Sequence, residues 1–455
     1  MRSVSQSVRA TAVPVRESQL RPRPHGGHQS WLEAARWACL VALALATQAC
    51  GGSNLVNTAR SGDLQTLRAQ IIDGQNHGTL DEAEVVAVAR AVAGREVRSA
   101  NQERAVDRIH QVRACAGSLR NVLEDRAGTA DDAGAEAQLA LIDAGFDRRP
   151  SFVSKYSRAE SGAWRAVGAR LTNGLAHAGL RQQLMSDGDE RVRRAAIAAS
   201  RDASDARDIE SLLESTRVDP DPLSRSLAAR AAGNLGGEVV VQGLKDVWAT
   251  ADESTRVTIV EAWAMPAAFR SGGEAQLLTV VETGEAMPAV SAAGALVRAR
   301  GETAQSGAAL LSRVASQGPT AERSLALQWL PLADADALKI VQKSAKDPDP
   351  KVQAGALGRL LETAHRKDAK RQLLKLAEGK SDAAFPARLI LARAGVQEVA
   401  VLLKADLKAK ASYVREQAAV ALADLKQYAS AATALADENP SVRTRVACSI
   451  LLASR

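Results

Sequence analysis

From about residue 190 onward, small and apolar residues return in the same order roughly every 31 positions. With Val192 in DERVRRAAIAAS as origin, comparable positions are Ser224, Val257, Val290, Glu322, Val352, Phe385, Val414 and Val442. Five residues after these origins stand Ile197, Ala229, Ala262, Ala295, Leu327, Leu357, Ile390, Ala419 and Ala447, all of them apolar. Four after, Ala or Gly recurs at Ala196, Ala228, Gly294, Ala326, Ala356 and Ala418. Positions 0, +4, +5 and +8 share one face of an α-helix. Small side chains on that face let a second helix axis approach to about 8–10 Å.

The punctuation between these stretches fits helical hairpins. Asp219-Pro220-Asp221-Pro222, Asp347-Pro348-Asp349-Pro350 and Asn439-Pro440 put an Asp or Asn cap and an early proline ahead of the apolar face. Gly233 and Gly236 follow one such helix, and Pro266 and Pro331 follow two others. A second amphipathic stretch then appears, such as Val239-Val240…Leu244…Val247-Trp248 or Leu373-Leu374…Leu376. Two helices in about 31 residues leave room only for short turns. A helix apolar on one side must cover that side with a neighbour, which is the requirement of a stacked array.

The strings DERVRRAAIAA, DPDPLSRSLAARAAGNLG, DPDPKVQAGALGRL, SYVREQAAVALADL and NPSVRTRVACSILL resemble the first helix of HEAT repeats, above all the short bacterial variety found in relatives of phycobilin lyases. The resemblance covers about 164–455, with Trp164 opening a degenerate tenth copy. It implies an all-α fold, an α-solenoid superhelix of about ten antiparallel helical hairpins. It also implies a structural Arg just after the origin, filled here by Arg193, Arg225, Arg323, Arg415 and Arg443 and replaced by Thr258, Ser291, Gln353 and Pro386. Stacked at about 9–10 Å per repeat, such an array would be an elongated body of about 100 Å. Cys115 and Cys448, 333 positions apart, would then sit near opposite ends, and a disulfide between them is not expected.

Ahead of the array, residues 57–163 read as a divergent helical region. Leu55–Arg68, Glu82–Val92, Glu103–Cys115 and Ala135–Ala144 have helical periodicity, and the region is expected to continue the array and cap its first end.

The first 49 residues read as an address. Thirteen mostly apolar residues, Trp37–Ala49, follow a basic segment and are too short to span a bilayer. The Ala49–Cys50 junction resembles the lipobox of bacterial lipoproteins, which implies an acylated Cys50 followed by a short tether over 50–56. Thr47 and Gln48 depart from that pattern, and Thr47-x-Ala49 equally suits an ordinary signal peptidase that would release a soluble protein. The expected location is the bacterial cell envelope, lipid-anchored and facing the periplasm or the cell surface, with secretion as the alternative.

Composition narrows the function. Hydrophobic content of 46%, 24% charged residues and only 3% aromatics suit a folded helical protein. Removing residues 1–49, with their six Arg against Glu17 and Glu33, lowers the net charge from +7 to +3. Nothing global then draws the chain to nucleic acid. His77, His110, His177 and His365 stand in no H-E-x-x-H or Cys/His context, and neither a phosphate loop nor a G-x-S-x-G elbow is present. The expectation is a binding scaffold without a catalytic residue, cofactor, metal or small-molecule substrate, whose partner is another protein. By the resemblance, an enzyme-accessory or lyase-like role is the alternative.

Two further features carry readings of their own. Residues 337–410 hold 16 Lys/Arg against eight Asp/Glu, and Lys339, Lys343, Lys346, Lys367, Lys370, Arg371 and Lys375 form a candidate basic face for anionic lipid, an acidic partner or, less readily, nucleic acid. Trp164, Trp248, Trp263 and Trp329 fit either core filling or anchoring of a partner in a groove.

Overall fold

The computed structural model describes residues 54–455 apart from positions 101, 147, 148, 150 and 285, so the leader segment and Cys50 lie outside the described residues. The described part forms helices and connecting turns without a strand, and Leu55–Arg455 is a single compact unit. Four helices open it: α1 (Asn54–Ser61), α2 (Leu64–His77), α3 (Glu82–Ser99) and α4 (Gln102–Val112). The amphipathic stretch at 55–68 is therefore two helices, divided at Gly62, whose φ of +84° belongs to the left-handed region that glycine enters freely. A 3-10 segment, Arg113–Leu119, leads into α5 (Arg120–Ala127) and α6 (Asp132–Asp143).

The first helices of the successive hairpins are α7 (Gly162–Arg170), α8 (Glu190–Ala203), α9 (Pro222–Leu235), α10 (Glu253–Trp263), α11 (Ala286–Ala299), α12 (Thr320–Trp329), α13 (Pro350–Leu360), α14 (Ala384–Arg393), α15 (Ser412–Asp424) and α16 (Pro440–Ala453). The second helices, among them Ile209–Val218, Glu238–Trp248, Ala335–Ser344, Arg366–Glu378 and Ala400–Asp406, form the other layer. Starts are capped as the punctuation suggests. Asp221 accepts from the Leu223 and Ser224 amides, Asp349 from Lys351 and Val352, and Asn439 from Ser441, each ahead of a proline at the first turn.

Every residue five after an origin is buried except Ile390, and all the Ala and Gly residues four after are buried. The tightest packing leaves no room for a methyl group. A Cβ on Gly168 would lie 2.4 Å from the Ser157 amide nitrogen, and one on Gly233 would lie 2.6 Å from the Ala262 carbonyl oxygen.

The array does not end in two free termini. Each first helix packs on the next from α4 and α6 through α16, and α16 then packs against α3 and α4. The chain thus closes a circle of twelve helices. Cys115 and Cys448 are joined in a disulfide with Cα atoms 5.5 Å apart. The elongated body and the unpaired cysteines expected from the sequence are both overturned, because slight rotation between neighbours accumulates around the stack until the ends meet. Residues of α2–α4 form the joint rather than a cap. Arg68 Nη2 donates to Ala436 O at 2.9 Å, Arg108 Nη1 to Ser441 Oγ at 2.8 Å and Gln75 Nε2 to Thr433 Oγ1 at 3.0 Å.

Twelve helices at about 9–10 Å per step give a closed layer about 36 Å across between opposite axes. First helices pack on each other far more extensively than second helices do. In a closed circle the crowded layer is the inner one, so the first helices line the inside.

Candidate binding surface and the ladder that shapes it

The repeat arginines are buried or nearly so, and each spans two turns. Arg193 donates from Nε and Nη2 to Asp219 at 2.7 and 2.9 Å, and from Nη1 to the Asp187 and Gly188 carbonyls at 2.9 and 3.2 Å. Arg225 takes the Asp219 carbonyl and Asp252, and Arg323 takes the Gly318 carbonyl and Asp347. Arg415 grips Asp437 at 2.6 and 2.9 Å and the carbonyls of Ala409 and Lys410 at 2.9 Å. Arg165 in α7 does the same with Asp187 and the carbonyls of Ala159 and Glu160. A planar guanidinium satisfies carbonyls left open at a turn and ties them to the next hairpin through a charge-assisted bond.

Two of the four positions where the sequence reading lost this arginine are misregistered. In α10 the buried residues Thr255, Ile259, Val260 and Trp263 fall at the 0, +4, +5 and +8 spacing, so the origin is Thr255 rather than Val257. Arg256 follows it and donates to the Trp248 carbonyl at 3.3 Å. In α14 the buried residues Ala387, Leu391 and Ala392 fall at the 0, +4 and +5 spacing, so the origin is Ala387 rather than Phe385. Arg388 follows it and bonds Asp406 and, at 2.9 Å, the Ala377 carbonyl. At Gln353 the amide donates to the Ala345 carbonyl at 3.2 Å.

The last rung closes the circle. Arg443 donates to the Asp437 and Glu438 carbonyls at 2.6 and 3.1 Å, as its counterparts do at their own turns. Its forward carboxylate is Glu96 of α3, at 2.8–2.9 Å. Glu96 stands where the next hairpin would supply an Asp. A further buried cation, Arg181, reaches Asp208 at 2.6 Å, Asp205 at 3.1 Å and the carbonyls of Thr172 and Gly174. No repeat signature announced it.

These contacts shift the carboxylates in one direction. The guanidiniums of Arg165 and Arg194 hold Asp187 and Asp221 below the usual carboxylate range, and the Arg207 side chain brings Asp205 to about 2. Burial pushes Asp437 up, but the hydrogen bonds from Arg415 and the Asn439 amide outweigh it.

With the 0, +4, +5 and +8 face buried, the opposite face of the first helices looks into the ring at about −1, +3 and +6. Between α4 and α9 it lines a cavity of about 590 Å³. An ion-pair chain crosses that cavity: Arg113 to Asp143, Asp143 to Arg170 at 2.8 Å, and Arg170 to Asp202 at 2.6 Å. His110 contacts the buried Glu136 at 2.9 Å there, so it faces the cavity rather than the outer surface. Apolar residues on the same face stay open to solvent: Leu223 is 52% exposed and Tyr413 67%.

The candidate basic face falls on the other layer. Lys339 and Lys343 lie on Ala335–Ser344, Lys346 follows it, and Lys367, Lys370, Arg371 and Lys375 lie on Arg366–Glu378. Three of them are paired, Lys339 with Asp336 at 2.8 Å, Lys370 with Glu398 at 2.5 Å and Arg371 with Asp368 at 2.8 Å. The tryptophans belong to the packing. Trp263 is buried and donates to the Val241 carbonyl at 3.3 Å, Trp248 lies 5.4 Å from it, Trp329 rests under Arg298, and Trp164 stacks on Tyr156 at 4.6 Å. The groove-anchor reading of these four is not met.

Residues 178–264 match the family model of HEAT repeats. That segment runs from the second helix after α7 to the end of α10 and contains the Arg193–Asp219 and Arg225–Asp252 rungs. Solved structures similar to the chain include Kap121p bound to Pho4p, at 15% identity and a TM-score of 0.35 over 82% of this chain and 49% of that one. Kap121p bound to Nup53p is similar at 14% identity and a TM-score of 0.34, over 83% and 48%. An engineered protein is similar at 17% identity and a TM-score of 0.24, over 82% of this chain and 98% of that one. The chain spans about half the length of the Kap121p chains. No curated protein matches.

Proposed function

We propose that the protein is an exported, lipid-anchored, non-catalytic scaffold whose closed ring of HEAT-type hairpins holds a protein partner on its inner, first-helix face. The observation that carries the reading is the closure itself, a buried disulfide and a buried Arg443–Glu96 pair joining residues more than 300 positions apart. Closure fixes the shape of the inner face before any partner arrives, which lowers the ordering entropy lost on binding. A disulfide persists in oxidising compartments, which supports export and agrees with a leader of residues 1–49 cut ahead of Cys50. The buried ionic groups support a structural use, since each ladder arginine has its carboxylate or turn carbonyls.

Photo-crosslinking tests the partner face. A crosslinking residue at Leu223 or Tyr413 should capture one discrete protein in the native envelope, and one at Val401 or Lys343 on the outer layer should not. Equal capture from both layers refutes the inner face. Cys50→Ser tests the anchor independently: membrane fractionation unchanged by that substitution refutes acylation.

A further inference from the structure

The hairpin arginines are neutralised in place, and one group of arginines departs from that pattern. Between α1, α3 and the turn entering α5 lies a groove of about 960 Å³. Arg60, Arg90, Arg95, Arg98 and Arg120 line it, and among the described residues no carboxylate does. Their neutralisation is poor. Among the described residues Arg60 meets only the neutral Asn57 amide oxygen, at 3.3 Å. Arg95 touches Glu96 at 3.2 Å, but that carboxylate oxygen is already held by Arg443 at 2.8 Å. Arg98 and Asp125 are 3.5 Å apart and both exposed, and Arg120 pairs with an exposed Glu124. Such surface pairs are worth little. Arg90 has no ion pair or hydrogen bond among the described residues, and it also borders the adjoining cleft, where Arg113 and Arg455 stand with the carboxylate of Asp143.

We propose that this groove binds the phosphate headgroup of an anionic membrane lipid. Guanidiniums suit phosphate oxygens because their planar fork donates two parallel bonds. The lining between them, with Val56, Ala87, Leu119 and Val122, is apolar, which fits the glycerol and upper acyl segment of an amphiphile better than a free phosphate ion. The groove is also far larger than an inorganic phosphate. Its position agrees: Val56 on its wall is six residues from Cys50, at most about 20 Å of chain. The choice of lipid over a soluble phosphate rests on the anchoring reading above. A headgroup seated there would hold the joint of the ring toward the bilayer.

The test uses residues 50–455 carrying Cys50→Ser, since Leu55–Arg455 is a compact unit by itself and no acyl chain then contributes. Co-sedimentation compares phosphatidylcholine vesicles with vesicles containing about 30% phosphatidylglycerol. Binding is expected to the anionic vesicles alone and to fall steeply with salt. Arg90→Gln with Arg98→Gln, both exposed, should weaken it about 30-fold at about 1 kcal/mol per arginine. Lys339→Gln with Lys343→Gln should leave it unchanged, and circular dichroism of all variants should match the parent. Equal binding to neutral vesicles, or an unaffected arginine variant, overturns the proposal. Full displacement by micromolar pyrophosphate assigns the groove to a soluble phosphate, and tighter binding to a single-stranded oligonucleotide than to vesicles assigns it to nucleic acid. Either result also overturns it. Loss of vesicle binding with the Cys50 fractionation result intact separates failure here from failure of the anchor.

Discussion

Reducing the Cys115–Cys448 disulfide should weaken the ring at its joint and leave the rest of the array folded. The perturbation is mild reduction, or the double substitution Cys115→Ser with Cys448→Ser. The bond closes a loop of 333 positions, for which the chain-entropy model gives roughly 5–6 kcal/mol of stabilisation against the fully unfolded chain. That is as large as the stability of many whole domains. A repeat array unfolds by neighbouring units, however, so the loss falls first on the two ends that the bond joins. The joint also has non-covalent support. Val446, Ile450 and Leu451 are buried on α16, and the Arg443–Glu96 pair is buried on both sides. The reduced ring should therefore stay closed in buffer and open at lower urea, with an early transition that exposes α3 and α16. Small-angle scattering reads the opening directly. A compact body of about 400 residues has a radius of gyration of roughly 22 Å, and a straight stack of twelve hairpins approaches about 35 Å. If reduction, verified by free-thiol mass analysis, moves neither the urea transition nor the radius, the reasoning about closure is wrong.

Four other outcomes follow from the same contacts. Arg443→Met removes the buried guanidinium whose Nε and Nη2 both reach Glu96 and should destabilise the joint by about 3–5 kcal/mol, read as a urea midpoint shift; Glu96→Gln in the same chain should recover part of that loss. Gly168→Val forces a branched side chain into the Ser157 backbone and should lower the melting temperature by several degrees, an effect of about 1–3 kcal/mol; an unchanged melting curve counts against the close approach of these helices. Arg388→Ala should destabilise and Arg393→Ala should not, since only the former reaches Asp406; equal effects refute the register in α14. For pH, the folded carboxyls of Asp187, Asp205 and Asp221 lie below their unfolded values. Their stabilisation is complete above the unfolded carboxylate value near 4 and is lost as pH falls through the depressed values toward 2. Melting temperatures measured from pH 7 to 2 should be flat to about 4.5 and then drop, and a drop beginning above pH 5 would point to other groups.

Much of the architecture is readable in the chain because it depends on local periodicity. Ala196, Ala228 and Ala356 are buried as their spacing requires, and Asp221, Asp349 and Asn439 cap as their position before proline suggests. The misregistered hairpins show where hydrophobicity misleads. Val257 and Phe385 are greasier than Thr255 and Ala387, yet the residue facing the core is the small or polar one. A better signal was available for the first of them. Asp189, Asp221, Asp349 and Asn439 each lie three residues before their origins, and Asp252 stands three before Thr255. Closure was not legible, because it depends on small rotations summed over twelve neighbours and no single window contains them. The groove at α1–α3 escaped for a related reason. Its arginines come from three separate helices and its chemistry exists only after folding. Conversely, the lysine-rich stretch at 337–410 is conspicuous in the sequence, but the residues of its candidate basic face lie along the outer layer, three of them paired.

The exchange of Glu96 for a missing thirteenth Asp has an evolutionary corollary. Open helical arrays gain and lose hairpins by duplication at little penalty, since each unit needs only its neighbours. Here an extra or deleted unit would swing Arg443 and Cys448 away from Glu96 and Cys115 together. The number of units is consequently locked, and descendants of this gene should vary in loop length and surface charge while conserving their count of hairpins.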